Sequence, residues 1–433
     1  MRQLLANKVS GTMVGLWLLI PEHLRLGTWD LLCGWARTPT PCVQPRLALQ
    51  LVHEAALCVT GVRQGRTLSQ KGFELANGLP FVASDHAIHE LLQAHTVSEA
   101  ESLQVALGRI RRASGHYRGN LVAIDPHHMR SYTKRQTRRH RHKKDEPAIK
   151  TSQTFFCLDT ETDQPFAFTV GSAARTVTQA TPGLLKLAEA ILQPAKGQAL
   201  ALADTEHCTA ELFDEVVQQT PFDLLTPQSV TKLLLQQLRN TPESDFRSPW
   251  VGLAMATKPY HFTHGQLDSP LYQIVQRCGE QSTGYHFKSF LSTRNADAVQ
   301  ALIEDYPKRW HVEEFFNANQ ALGWNRAGTL NLNIRYGQMT MALIAQAAIH
   351  QFRQRLRPPH NQWDAGHLAK DLFRALDGDI RVNDNTIIVT YYNAPHAEQL
   401  RQHYEHLPEK LAHEKISPQI PWLYNFKRDF RFK

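Results

Sequence analysis

The sequence predicts a mixed α/β (α+β) chain, and three observations carry that prediction. Residues 1–117 place apolar side chains mostly at helical spacing. From residue 120 the period changes, and short apolar runs of strand length alternate with helical stripes in the order β-β-β-α-β-α-β. Residues 227–294 are then rich in β-formers set between Pro, Gly, Ser and Asp, which reads as a β-rich insertion. The expected division is a helical domain over 1–117, a catalytic domain over 118–356 and a C-terminal region over 357–433 that serves multimerisation.

The elements follow in order. Met13–Ile20 ends at Pro21; it is too short to span a bilayer and reads as a core helix. Ser84 is placed to cap a helix over 85–94, and Ser98 with Glu101 has the capping-box spacing before Leu103, Ala106, Leu107 and Ile110. Leu121–Asp125 reads as a strand, and Gln153–Asp159 and Gln164–Val170 as a hairpin. Thr181-Pro182 reads as the start of a helix to about Gln193. Strand 198–203, a helix near 209–218 and strand 222–226 complete the series. Within the insertion, 250–256, 271–277 and 284–291 read as strands. Helix returns at 296–304, and Pro307 opens another through about Leu322. A long helix over 336–356, broken by Pro358-Pro359, and a strand over 385–392 follow.

Composition narrows the function. The chain has 433 residues, of which 42% are hydrophobic, enough for two or three packed domains. Its formal charge is +8 and its pI about 9.2, a surplus that favours polyanions, nucleic acid first. The 22 histidines add positive charge as the pH falls. Six cysteines are scattered without a C-x-x-C pair, which argues against a zinc finger and fits reduced, cytoplasmic usage. With no candidate membrane span, a soluble cytoplasmic protein is expected.

Three acids carry the chemistry. Asp125 closes the apolar run Leu-Val-Ala-Ile, and Asp204 closes Ala-Leu-Ala-Leu-Ala. Glu313 lies in Tyr-Pro-Lys-Arg-Trp-His-Val-Glu, where Tyr306, Arg309 and Glu313 at i, i+3 and i+7 share one helix face that Gln320 continues. Spacing alone does not separate Glu313 from Glu314. Taken singly, each acid reads as a cap or a solvated face. Acids at the ends of the first and fourth strands of this series are what a ribonuclease-H-like sheet requires, and together with the helical acid they read as a metal site. Hard oxygen ligands suit two Mg²⁺ or Mn²⁺ ions, which activate a water or 3′-hydroxyl and stabilise a phosphodiester transition state. His127 and His128 offer a weaker, histidine-based alternative. Cys208, beside His207, reads as structural, and Trp250 and Trp310 read as core rather than as platforms for a flipped base.

A basic run lies between the first two strands: Arg130, Lys134, Arg135, Arg138, Arg139, Arg141, Lys143 and Lys144. Such a block is usually a solvated loop. Beside Asp125 it is placed to follow a DNA backbone and to add salt-dependent affinity.

At these residues the chain resembles the DDE transposases of bacterial insertion sequences. The resemblance rests on Ala-Ile-Asp125, on Leu-Ala-Asp204 and on Tyr306-x2-Arg309-x3-Glu313, and spans roughly residues 118–355. The last motif is similar to the Y-(2)-R-(3)-E-(6)-K signature of the subgroup with a β-rich insertion before the Glu, and it favours Glu313 over Glu314. The resemblance implies a ribonuclease-H-like core with two Mg²⁺ (or Mn²⁺) ions on Asp125, Asp204 and Glu313. It implies cleavage at transposon ends in double-stranded DNA and transfer of the 3′-hydroxyl to target DNA. It further implies phosphate contacts by Tyr306 and Arg309, and a homodimer or higher multimer on DNA in a bacterial, nucleoid-associated setting. Two positions depart: Gln320 stands where the signature has Lys, and Thr205 where relatives often have Arg. The rival expectations are a ribonuclease-H-like nuclease without strand transfer and a catalytically inactive DNA-binding regulator.

Overall fold

The computed structural model describes residues 8–37, 42–59, 68–131, 133–134, 136–141, 145, 147–172, 174–262, 269–324, 329 and 331–433, without the side chains of 140 and 317–320. The chain divides into two compact units, residues 111–316 and the residues before and after them, 1–110 with 317–433.

The first of these units is built on one mixed sheet. Strands β1 (Leu121–Arg130), β2 (Ile149–Asp159) and β3 (Gln164–Ser172) run antiparallel, with β2 in the middle. Helix α1 (Val177–Leu192) leads to β4 (Leu200–Leu202), and α2 (Ala210–Gln219) leads to β5 (Asp223–Gln228). Strand β4 pairs parallel with both β1 and β5, so the order is β3-β2-β1-β4-β5. This is the ribonuclease-H-like arrangement expected above. Its central strands read as near-continuous apolar runs because both faces are covered.

The β-rich segment extends the same sheet. After α3 (Lys232–Arg239) come β6 (Arg247–Trp250), β7 (Leu253–Tyr260), β8 (Leu271–Cys278) and β9 (His286–Ser292). Strand β9 pairs antiparallel with β5, and β8, β7 and β6 follow outward. One apolar cluster joins Leu200, Leu202 and Leu225 of the central strands to Met255, Ile274 and Phe290 of the added ones. Thr293 secures the return: its hydroxyl donates to Asp223 at 2.8 Å and accepts the Leu224 N–H at 3.0 Å.

Several boundaries differ from the sequence expectation. Helix α1 starts five residues early, because Thr176 and Gln179 form the reciprocal capping box and Pro182 lies inside the helix. The other box belongs to Thr96 and Glu99, not Ser98 and Glu101. The expected helix over 296–304 is a π-helical stretch at Gln300–Asp305, and the next begins as a 3₁₀ turn, Tyr306–Trp310, before becoming α4 (His311–Asn319). The tryptophans are not core: Trp250 is 52% and Trp310 55% exposed, because Trp250 ends an outermost strand and Trp310 lies in that 3₁₀ turn with no buried residue.

The second unit combines helices, among them Gln44–Ala56 and Leu332–Arg355, with a sheet of Val9–Gly11, Gly378–Asn383, Thr386–Tyr391 and Lys427–Phe432. No described helix is long and apolar enough to cross a membrane. In its core His53 is fully buried, with Nδ1 2.7 Å from Oδ1 of Asn77. Burial pushes its pKa from 6.5 down to about 4. The unfolded chain therefore takes up a proton that the folded one refuses, and stability is lost as pH falls from about 6.5 toward 4, by on the order of 3 kcal/mol. Denaturant midpoints at pH 7 and pH 4.5 should differ less for His53→Gln than for the wild type. Equal losses in the two proteins would rule His53 out as the cause.

Candidate active site

Register places the two aspartates side by side. Strands β1 and β4 pair Leu121 with Leu200, Val122 with Ala201 and Ala123 with Leu202. Asp125 and Asp204 each lie two residues beyond the last of these pairs. Asp204 stands just beyond β4, where its carboxylate caps the turn Thr205–His207 by accepting the Glu206 N–H at 3.1 Å. Nδ1 of the buried His207 lies 2.6 Å from the same Oδ1.

The helical acid is delivered by aromatic packing. Asp125 pairs across the sheet with Phe156, and His127 is two residues further along the same strand face. Phe316 of α4 stacks on His127 at 4.3 Å between ring centroids and meets Phe156 edge-on at 5.2 Å, while Phe315 meets Phe156 at 5.9 Å. The helix is thus pinned to the face that carries Asp125. Glu313 precedes Phe316 by one turn and is half-buried, whereas Glu314 is exposed.

Arg309 ties these acids together. One terminal guanidinium nitrogen lies 3.4 Å from Oδ1 of Asp125 and the other 3.1 Å from Oε1 of Glu313. The turn that carries Arg309 is itself anchored through Tyr306, whose hydroxyl donates to the Ala203 carbonyl at 3.3 Å and whose ring meets Phe290 edge-on at 5.0 Å.

Electrostatics set the acids apart. Burial, then Asp204, pushes the Asp125 carboxyl up to about 8, with Glu313 and Glu206 adding to the rise against Arg309. Burial also raises Asp204, but the His207 hydrogen bond, the His207 charge and Arg309 bring it net below its ordinary value. Among the described residues, no three His, Cys, Asp or Glu side chains are gathered tightly enough to hold an ion as they stand; Asp125 and Glu313 converge on Arg309 instead. The donor chemistry nevertheless fits a hard divalent ion: crowded carboxylate oxygens whose mutual repulsion a cation would relieve.

The remaining candidates lie elsewhere. Arg130, Lys134, Arg138, Arg139 and Arg141 lie between β1 and β2 or at their ends, at least partly open to solvent, and Arg139–His140 adds a two-residue strand against Ile149 and Lys150. Arg135, Lys143 and Lys144 lie outside the described residues, as does the Gln320 side chain. Tyr306 is half-buried against the apolar cluster. The sequence reading passed over His207 as a partner of Asp204 and Glu206 as a neighbour of Asp125. The three-residue step from a strand-end Asp to His207 was a usable signal.

Residues 116–347 match the family described as "Transposase DDE domain". No curated protein matches the chain. Among solved structures, a cryo-EM structure of a piggyBac transposase synaptic complex with hairpin DNA is similar at 13% identity, over 82% of this chain and 79% of that one, with a TM-score of 0.43.

Phe316→Ala should lower unfolding stability by about 3–5 kcal/mol, the usual cost of removing a buried Phe ring, and should loosen α4 on the sheet. Hydrogen exchange in 311–316 would report the second effect. Unchanged protection there would mean that other packing holds the helix.

Proposed function

The chain belongs to the DDE transposase family, and from that premise we propose that Asp125, Asp204 and Glu313 are its catalytic acids, acting on double-stranded DNA at the ends of a mobile element. The family generally uses divalent metal ions. Asp125, Asp204 and Glu313 would hold two Mg²⁺ or Mn²⁺ ions. When bound, such ions activate the attacking water or 3′-hydroxyl and stabilise the leaving oxygen.

The chain's own residues do the rest. Mid-β1 and the segment just past β4 carry the two aspartates, each two residues beyond the paired Ala123 and Leu202. His207 donates to Asp204 and keeps it ionised and oriented. The Phe315 and Phe316 rings hold α4 against β1 and β2, and Glu313 reaches the guanidinium that also meets Asp125. Arg309 offers a planar donor fork to a phosphate beside the acids. The reading is supported above all by the meeting of one guanidinium with Asp125 and Glu313, next to the register-matched Asp204.

The reaction we propose is hydrolytic nicking at each transposon end, followed by attack of the freed 3′-hydroxyl on target DNA. A dimer or larger assembly on paired ends would carry it out, at the nucleoid of a bacterial cell. Tyr306, Arg309 and Gln320 are proposed to line the end DNA. The basic run from Arg130 to Lys144 is proposed to follow the backbone beyond the scissile phosphate. A strand-transfer assay with a pre-nicked 3′ end separates this reaction from nuclease action alone.

Asp125→Asn should abolish nicking of a labelled element end, by on the order of 10³-fold or more, as expected when a metal ligand is removed, with duplex binding retained. Cleavage at the wild-type rate would overturn the assignment. Replacing Arg138, Arg139, Arg141 and Lys134 with Ala should lower the slope of log affinity against log salt by about 0.9 for each phosphate no longer neutralised. An unchanged slope would remove this run from the DNA interface.

A further inference from the structure

Arg309 holds one oxygen of each of two carboxylates that a divalent ion would need. Its two terminal nitrogens reach Asp125 at 3.4 Å and Glu313 at 3.1 Å, and its charge also acts on Asp204. The side chain is only 13% exposed, so water screens it weakly from the acids. A guanidinium and a divalent ion cannot both sit against the same two carboxylates without strong repulsion.

We infer that Arg309 is a built-in competitor for the metal ions, and that a DNA phosphate drawing it away prepares the acids to receive them. The inference rests on the proposed reading of Asp125, Asp204 and Glu313 as metal-binding acids. The backbone of the turn is fixed through Tyr306, by its bond to Ala203 and its ring on Phe290, so the long Arg309 side chain is the part able to swing. Once displaced, it needs another anion, and a phosphodiester accepts the guanidinium fork as well as a carboxylate does. Metal and DNA then strengthen each other's binding through one residue, and the coupling is reciprocal. Arg309 is a positioning residue in this scheme: it restrains the acids while no DNA is bound and releases them on the substrate.

The test is Mn²⁺ binding to the full chain, followed by electron paramagnetic resonance with and without a mixed-sequence DNA duplex. For the wild type, duplex should tighten Mn²⁺ binding. Arg309→Met, which keeps the apolar stem and removes the charge, should bind Mn²⁺ about tenfold tighter than the wild type without DNA, and duplex should then add little. Arg309→Lys should restore the weaker, DNA-responsive binding, and Arg309→Gln, also uncharged, takes the place of Arg309→Met with the same expected and overturning outcomes if that variant fails to fold. Arg309→Met binding Mn²⁺ no tighter than the wild type, or keeping the full response to duplex, would overturn the inference. So would an Arg309→Lys protein whose Mn²⁺ binding ignores duplex. Asp125→Asn and Glu313→Gln are the separate control: if neither weakens Mn²⁺ binding, the acid-site reading itself has failed.

Discussion

Like charges held close in a half-buried pocket are the constraint on which the rest of this site depends. Asp125 and Asp204 each lie two residues past the last paired residues of two parallel strands, Ala123 and Leu202, an arrangement fixed by backbone hydrogen bonds rather than by any attraction between the side chains. Burial makes that proximity costly, which is visible in the rise of Asp125 toward neutrality. Three neighbours offset the cost. His207 donates to Asp204, the Glu206 N–H caps it, and Arg309 reaches to Asp125 and Glu313. Removing the sheet would separate the acids; removing the donors would leave them together but uncompensated.

Much of this was legible in the sequence, for identifiable reasons. The apolar run before Asp204 marks where β4 stops, but the run before Asp125 does not mark a strand end: β1 continues through Pro126 to Arg130, where it stays paired with β2. The strand–helix alternation that follows leaves few topologies. Tyr306, Arg309 and Glu313 were legible through their spacing, though the local helix type was not. The chain passes from π to 3₁₀ to α geometry across Gln300–Asn319, and propensity cannot register such transitions when tertiary packing imposes them. Here that packing is Tyr306 on Phe290 and the Phe315–Phe316 pair on Phe156.

What stayed hidden was mostly long-range. Nothing in the sequence of β6 to β9 announces that they continue the central sheet instead of forming a body of their own. That outcome depends on β9 finding the edge of β5. The outward placement of Trp250 and Trp310 was hidden for a similar cause. Tryptophan is usually covered, and only the positions of an outermost strand and a 3₁₀ turn without buried residues leave these two in solvent. The pairing of residues 1–110 with 317–433 likewise joins segments that no local pattern relates.

Because β9 borders β5 and shares its apolar cluster, the added strands are no detachable appendage. Excising them would strip one flank from the strand that neighbours β4, bare the inner side chains of Leu202 and Leu225, and cut the Thr293 clasp that steers the polypeptide back toward Glu313. Shortening this region by evolution or by engineering is therefore coupled to the geometry of cleavage itself. The tolerant place for trimming is the outermost strand β6, exposed along its whole length and farthest along the ladder from the acids.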